Sequence, residues 1–310
     1  MANITLRQIR YFVALARHRH FGRAADDCAV TQPALSMQIK VLEDSLGTAL
    51  FERGTRQISL TGFGEAFLAR SAGILQSVDE LEDLARATGG KPAGKLRIGV
   101  IPTVAPYLLP AIIARLQNLF PDLRPLLRET VTPRLLEELL DGRLDAAILA
   151  LPVSEPALTE VALLSEPFVL VRPAEDLGKP VPSPAMLREM RLLLLEEGHC
   201  FREQALAFCD LPPSRPREML DGSTLSTLVQ MVGAGFGVTL IPEMAVAVET
   251  RSAPVTVARF REPQPMRRIG MVWRKSNPLE AQLMQIAEAV RQAGLAPDPP
   301  PQPAPQDGAT

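Results

Sequence analysis

The spacing of hydrophobic residues changes near residue 90, and this change restricts the fold more than any other feature. Before Gly89 the apolar residues recur at helical spacing, as in Leu6, Ile9 and Val13. After Lys95, strand-like runs such as LRIGVI and LDAAILAL alternate with helical segments. This alternation predicts a parallel sheet with helices on its faces. The segment GGKPAG between the two patterns is suited to a hinge.

The first sixty residues are predicted to form a helix-turn-helix with a wing. FGRAADDCAV predicts a short helix, and TQPALSMQIKVLEDSLG predicts a second helix with Thr31 as N-cap, Pro33 in its first turn and Gly47 at its end. LFERGTRQISLT alternates around a glycine like a small β-hairpin. Residues 1–60 carry eight Lys or Arg against five Asp or Glu. We therefore expect a DNA-binding domain over 1–60 whose second helix enters the major groove.

Residues 61–90 are predicted to form one long helix that starts at Thr61. An apolar seam at three-and-four spacing with acidic flanks predicts a helix that pairs with a partner; its members are Phe67, Ile74, Val78, Leu81 and Ala85. Packing of this seam on its own chain is the alternative.

Residues 95–295 predict a fold of two α/β subdomains. Strands are expected at RPLLRE, PFVLVRP, RLLLLEE, REML, FGVTLIP and IGMVWR, with helices between them and a last helix at PLEAQLMQIAEAVRQAG. Two such subdomains commonly hold a ligand in the cleft between them. The proline-rich residues 296–310 are expected to be disordered.

The N-terminus MANITLRQIRYF lacks the succession of a secretory signal, and no run approaches the roughly 18 apolar residues of a membrane span. We expect no membrane association and a cytoplasmic protein. Its three cysteines, Cys28, Cys200 and Cys209, should there be reduced thiols.

Several blocks together resemble the LysR-type transcriptional regulators over essentially the whole predicted ordered length. They are LRQIRYFVALARHRHFGRAADDCAVTQPALSMQIKVLEDSLGTALFER, LTGFGE, LRIGVIPTVAPYLLP and EEGHCFREQALAFC, and the last is similar to the hydrogen-peroxide-sensing members. The resemblance implies an α/β fold class with an N-terminal winged helix-turn-helix, a dimerising linker helix and a regulatory domain built like a periplasmic binding protein. It also implies binding to double-stranded promoter DNA, a homodimer that assembles into a homotetramer, and action on RNA polymerase.

The family motif places a set of polar residues on the recognition helix and one at the wing. They are Thr31, Gln32, Pro33, Ser36 and Lys40 on the helix and Arg53 at the wing. Thr31, Gln32 and Ser36 are suited to base edges or phosphates, whereas Lys40 and Arg53 suit phosphates.

Cys200 is predicted to lie at the start of a helix, because Gly198 breaks the preceding strand and FREQALAFC is a good helix former. A helix N-terminus and nearby positive charge favour the thiolate, which is the form that reacts with peroxide. Arg202 is a permanent cation nearby, and His199 can donate a hydrogen bond or carry a charge. A buried, inert cysteine is the alternative.

Cys209 follows Cys200 by nine positions. On one continuous helix this separation is a rise of about 13.5 Å, whereas a disulfide needs Cα atoms within about 7 Å. Spacing alone indicates only that a bond would require rearrangement. The family resemblance implies that peroxide converts Cys200 to a sulfenic acid, that Cys209 condenses with it, and that a thioredoxin or glutaredoxin system reduces the bond.

The IPTV and ETVT segments match the family at Thr103 and Thr132, and we expect peroxide near these threonines, His199 and Cys200. Thr132 is equally suited to capping the next helix. Cys28 is expected in the core of the DNA-binding domain.

We expect no cofactor, no metal and no enzymatic turnover. A regulator that binds a metabolite, with incidental cysteines, and a thiol peroxidase are the alternatives. The missing signal and the N-terminal domain disfavour a solute-binding protein.

Overall fold

A computed structural model gives the structure of the protein and describes residues 4–52, 58–209 and 221–294. The chain divides into two compact units. The first contains residues up to Thr88 together with Asp141–Arg143, and the second contains the rest.

The first unit starts with the three predicted helices. They are α1 (Leu6–His18), α2 (Phe21–Asp27) and α3 (Gln32–Leu46). The sequence encodes their ends: Thr5 and Gln8 form a capping box before α1, and Gly47 ends α3 with a left-handed φ of 67°. The three helices bury one apolar core around Phe12 and Leu35.

The predicted wing is described only at its base. Phe51 and Leu60 form an antiparallel bridge, and the Glu52 N–H donates to the Ser59 carbonyl at 2.9 Å. Residues 53–57, which include Arg53, lie outside the described residues.

The helix α4 (Gly62–Ala87) confirms the predicted long helix after Thr61. The Thr61 hydroxyl caps it by accepting the Gly64 N–H at 3.0 Å. Ile74, Leu81 and Ala85 of the predicted seam are exposed, as is Leu84 beside it, which leaves much of that seam in contact with solvent.

The second unit begins with alternating strands and helices. They are β1 (Gly94–Val100), α5 (Ala105–Leu119), β2 (Leu123–Glu129), α6 (Thr132–Leu140) and β3 (Ala146–Leu151). The remaining elements are β4 (Leu158–Pro173), α7 (Pro184–Glu189), β5 (Leu192–Leu195), α8 (Cys200–Phe208), β6 (Asp221–Gly222), α9 (Leu225–Gly233), β7 (Val238–Pro242), α10 (Val246–Glu249), β8 (Val255–Arg259), β9 (Met266–Arg274) and α11 (Glu280–Gly294).

The described strands form a sheet in the order β2-β1-β3-β9-β4-β7-β5-β6, with β8 beside β4. Parallel pairing, as predicted, joins β1 to β2 and β3, and β5 to β6 and β7. The prediction of a wholly parallel sheet is wrong at the centre, because β9 runs antiparallel to β3 and β4, and β4 also runs antiparallel to β7 and β8. The sheet is therefore mixed.

The long strand β4 explains the mixed pairing. Its residues 158–167 pair with β9, whereas residues 168–173 pair with β7 and β8. This strand therefore joins the two halves of the sheet, and each half keeps its own parallel strands and helices. The predicted strand REML and the predicted disordered tail 296–310 lie outside the described residues.

Candidate thiol site

Cys200 is the first residue of α8, as predicted. The strand β5 ends at Leu195, and Gly198 then takes a φ of 94°, a conformation that favours glycine. This turn sets His199 at the N-cap position with extended backbone. The Cys200 thiol therefore lies at a helix N-terminus, where unpaired N–H groups favour a negative charge.

A narrow crevice brings four of the predicted residues together. Thr103, Thr132, His199 and Cys200 line it, with Ile101, Pro102 and Val131 as its other walls. The gaps between its walls add up to about 150 Å³ of empty space, open solvent included, but no water-sized sphere fits inside it. The four polar or reactive side chains come from three places in the chain: the end of β1, the start of α6 and the start of α8.

The Thr132 hydroxyl has no partner. Its Oγ1 atom is buried and makes no hydrogen bond within the described structure, so Thr132 does not cap α6 with its side chain. A buried hydroxyl without a partner costs about 1–3 kcal/mol. The Thr132 hydroxyl is thus an unpartnered polar group at the wall of the crevice.

His199 is in its neutral form at neutral pH. Its residue is only 6% exposed, and burial lowers the pKa of its imidazole below 6.5, against a smaller opposite effect of Glu196. Neutral imidazole has one nitrogen that donates and one that accepts. His199 can therefore exchange a proton with a neighbour in the crevice.

Arg202 is not among the residues that line the crevice. Its Nη1 atom donates to the Leu195 carbonyl at 2.8 Å, and this bond holds the turn between β5 and α8. Its proposed electrostatic effect on the thiol stays a prediction.

Arg267, on β9, contacts the site but was not among the residues predicted from the sequence. Its side chain is fully buried, and its guanidinium donates to Thr103 Oγ1 at 2.8 Å and to the Thr103 carbonyl at 2.9 Å. Its Nε atom donates to Glu166 Oε1 at 2.8 Å, and the guanidinium carbon lies 5.4 Å from the Phe201 ring centre. A permanent positive charge thus lies beside both Thr103 and the first turn of α8.

A signal for Arg267 exists in the sequence. Arg267 is buried in phase with Ile269, Met271 and Trp273, whereas Arg268 is exposed. Counting in steps of two from the apolar residues of the strand would have placed Arg267 inside.

Cys209 ends α8 and is fully buried. Its N–H donates to the Ala205 carbonyl at 3.1 Å, and its own carbonyl accepts from Arg188 Nε at 2.8 Å. Both cysteines are free thiols. The continuous helix between them confirms that a disulfide would require rearrangement.

A larger cavity of about 130 Å³ shares Pro102, Thr103 and His199 with the crevice. Inside it the Tyr107 hydroxyl donates to Glu249 Oε1 at 2.7 Å, and the Ser226 hydroxyl donates to Glu249 Oε2 at 2.5 Å. Burial and the bond to Glu249 raise the pKa of Tyr107. The carboxylate is therefore already engaged by the protein itself.

The predicted DNA-contacting residues of α3 lie on its exposed face. Thr31, Gln32, Pro33, Ser36 and Lys40 are all exposed, whereas the buried face of α3 consists of Leu35, Ile39 and Leu42. Thr31 occupies the N-cap position, although its side chain makes no capping bond.

Cys28 lies at the edge of the core of the first unit, partly exposed. Burial and, less strongly, Asp27 raise the pKa of its thiol, which disfavours reaction there.

Among residues 4–52, 58–209 and 221–294, no three His, Cys, Asp or Glu side chains are grouped as a metal site. No helix within these ranges has both the length and the hydropathy to cross a membrane.

Comparison with known proteins agrees with this arrangement. Residues 6–65 match the model of the bacterial regulatory helix-turn-helix of the lysR family, and residues 89–294 match that of the LysR substrate binding domain. The chain is 41% identical to the DNA-binding transcriptional dual regulator OxyR of Escherichia coli over 290 residues, 93% of this chain and 95% of that protein. It is 43% identical to a probable hydrogen peroxide-inducible genes activator of Streptomyces viridosporus over 294 residues, 93% of this chain and 94% of the other.

Solved structures give the same result. A full-length OxyR variant from Pseudomonas aeruginosa superposes with a TM-score of 0.73 at 36% identity, covering 94% of this chain and 96% of that one. A hydrogen-peroxide-bound OxyR variant from Corynebacterium glutamicum has a TM-score of 0.65 at 35% identity, covering 94% and 92%. By both domains and over nearly its whole length, the chain belongs to the LysR family of bacterial transcriptional regulators.

Proposed function

We propose that the protein is a DNA-binding transcription regulator that responds to hydrogen peroxide through Cys200 and Cys209. The observation that carries the proposal is the unpartnered Thr132 hydroxyl in a crevice that also contains Cys200. Hydrogen peroxide is small, and each of its oxygens both donates and accepts. Its donors and acceptors match two threonine hydroxyls and a neutral imidazole, and the crevice has to widen to admit it, because no water-sized sphere fits inside it.

In the first step the Cys200 thiolate attacks one peroxide oxygen. An S–O bond forms, the O–O bond breaks, and the other oxygen leaves as water after it takes up a proton. His199 is placed to pass that proton. Arg267, whose charge is paired with Glu166, orients the Thr103 hydroxyl, because its guanidinium donates to Thr103 Oγ1.

In the second step the Cys209 thiol attacks the sulfenic sulfur of Cys200. The S–S bond forms, and the sulfenic oxygen leaves as water. Since α8 holds the two residues about 13.5 Å apart along its axis, this step requires the helix to unwind. The rearranged segment biases the regulator toward one DNA-binding arrangement, and a thioredoxin or glutaredoxin system reverses the bond.

The DNA-binding part of the proposal rests on the exposed face of α3. Thr31, Gln32, Pro33, Ser36 and Lys40 contact double-stranded promoter DNA, with Arg53 at the wing. Homodimerisation through α4 is supported by its exposed Ile74, Leu81 and Leu84. A homotetramer acting on RNA polymerase in the cytoplasm, with no cofactor, completes the proposal.

The testing experiment maps thiols by peptide mass spectrometry after a slight excess of hydrogen peroxide. We expect an intramolecular Cys200–Cys209 bond that a dithiol reverses, none in Cys200→Ser or Cys209→Ser, and an unchanged result in Cys28→Ser. Thr132→Val should slow oxidation of Cys200 roughly tenfold or more, because it removes the hydrogen bond that the Thr132 hydroxyl is proposed to make to the reacting peroxide. Thr159→Val on β4, outside the crevice, is the matched control.

The same experiment addresses the alternatives. If both thiols stay reduced in peroxide, the redox proposal fails. The hypothesis to test is then a regulator that binds a metabolite in the larger cavity. Sustained peroxide consumption with a dithiol, independent of DNA, would instead indicate a thiol peroxidase.

A further inference from the structure

The second step depends on how often Cys209 leaves the core. Its residue is fully buried in the cluster that also contains Phe201, Ala205 and Leu206 of the same helix. No movement of Cys200 alone brings the sulfurs together while α8 stays intact. The rate of disulfide formation therefore depends on the free energy needed to open the C-terminal end of α8.

An arginine from outside the helix holds this end. Arg188 Nε, from the short helix α7, donates to the Cys209 carbonyl at 2.8 Å. The carbonyl of a helix C-terminus has no partner within the helix, and a cation there is favourable. Phe208, one position earlier, contacts Phe260 edge to face at 5.0 Å.

The N-terminal end of α8 is held by different groups. Arg202 binds the Leu195 carbonyl, and the Phe201 ring contacts Phe168 at 4.8 Å. Arg188 is absent from the walls of the Cys200 crevice. A change at Arg188 therefore alters the release of Cys209 without altering the surroundings of Cys200.

We propose that Arg188 is a positioning residue for disulfide formation: by holding the Cys209 carbonyl it keeps the resolving thiol withdrawn and sets the lifetime of the Cys200 sulfenic acid. This inference rests on the proposed function. The step remains balanced: the Cys209 S–H and Cys200 S–OH bonds break, the S–S bond forms, and water leaves. Peroxide, consumed in the first step, is the only oxidant.

Arg188→Met keeps the length and apolar stem of the side chain but removes the charge and the donor. We expect disulfide formation to become about tenfold faster, because opening of the helix end no longer breaks a charge-assisted hydrogen bond. The rate of sulfenic acid formation should stay unchanged. Since the reduced form alone loses a contact, the midpoint potential should become about 30 mV more negative, which is the tenfold change expressed for two electrons.

The experiment follows the full-length protein after rapid mixing with peroxide. Sulfenic acid at Cys200 is trapped with a carbon nucleophile, and the disulfide is measured in acid-quenched samples. The first rate depends on peroxide concentration and the second does not. Arg191→Met is the matched control, because the Arg191 guanidinium stacks on Phe236 rather than binding α8.

A second rate in folded Arg188→Met equal to or slower than that of the unaltered protein would overturn the inference, as would an equal acceleration of both steps. Arg188→Lys keeps the charge and provides a test if the Met variant does not fold. We expect its rate of disulfide formation to lie between those of the unaltered protein and Arg188→Met. Absence of the disulfide in the unaltered protein would instead refute the proposed function itself.

Discussion

Replacing Glu166 by Gln tests the buried ion pair beside the thiol site. Arg267 and Glu166 are joined at 2.7 Å with side chains 0% and 7% exposed. Glu166 Oε2 also accepts the Met244 N–H at 3.1 Å. Glu166→Gln keeps the shape but leaves the Arg267 charge buried without a counter-ion.

The expected cost follows from that burial. Breaking a buried pair by removing one charge costs about 3–5 kcal/mol. We expect the lower end, about 3 kcal/mol, because Arg267 keeps its two bonds to Thr103 and the amide oxygen can still accept from Nε. For a domain of this size, 1 kcal/mol shifts Tm by roughly 2–4 °C, so Tm should fall by about 6–12 °C.

The assay is urea unfolding of the reduced protein, with thermal unfolding beside it. Glu137→Gln is the matched control, because Glu137 pairs with Arg134 at 3.0 Å with side chains 50% and 63% exposed. Such a surface pair is worth about 0–1 kcal/mol. The double variant Glu166→Gln with Arg267→Met should be less destabilised than the sum of the single variants by about 2 kcal/mol. A cost of Glu166→Gln no larger than that of the control, or additive single effects, would refute the reasoning.

Three further predictions concern other parts of the chain. Burial lowers the pKa of His199 below 6.5, so the unfolded chain binds more protons than the folded protein just below pH 6.5. The contribution of His199 to the free energy of unfolding is therefore fully present above pH 6.5 and is lost as the pH falls through the folded pKa. His199→Gln should reduce this loss, measured by urea unfolding at a series of pH values. Gly237→Ala should cost about 2 kcal/mol or more, since its Cβ would lie 2.2 Å from the Arg191 carbonyl oxygen at a φ of 152°, whereas Gly235→Ala, with no atom within 4 Å, should cost less. Lys40→Ala should reduce the slope of log binding constant against log salt concentration for DNA by about 1 without changing sequence preference. Lys95→Ala should leave that slope unchanged.

The local parts of the fold could be predicted from the sequence. Thr61 starts α4 and Gly198 precedes α8, because caps and glycine turns depend on a few neighbouring residues. The strand β4 was predicted only from Pro167 onward. Its first ten residues mix buried, half-buried and exposed positions and contain a register shift between Ala162 and Leu164, so they lack the continuous apolar run of a central strand.

The thiol site could be predicted only where its residues occur in recognisable segments. Thr103, Thr132, His199 and Cys200 were found in this way and line one crevice. Arg267 and Glu166 are separated by 101 positions. The two-residue spacing of β9 indicates that Arg267 is buried, but nothing in either segment indicates its partner. Their pairing depends on the antiparallel register of β4 with β9, which no local pattern encodes.

The two cysteines lie at opposite ends of α8, so reaction with peroxide and formation of the disulfide depend on different surroundings. Cys200 lies at the N-terminus of α8, partly exposed, in the crevice with Thr103, Thr132 and His199, whereas Cys209 is buried at the other end, where Arg188 donates to its carbonyl. If both thiols lay at one end, peroxide sensitivity and the stability of the reduced fold would change together under every substitution. With one helix between them, the proposals assign Thr132 and Arg267 to the rate of sulfenic acid formation and Arg188 to the rate of disulfide formation. The lifetime of the sulfenic acid, and with it the exposure of Cys200 to a second peroxide, is then set by how firmly the far end of α8 is held.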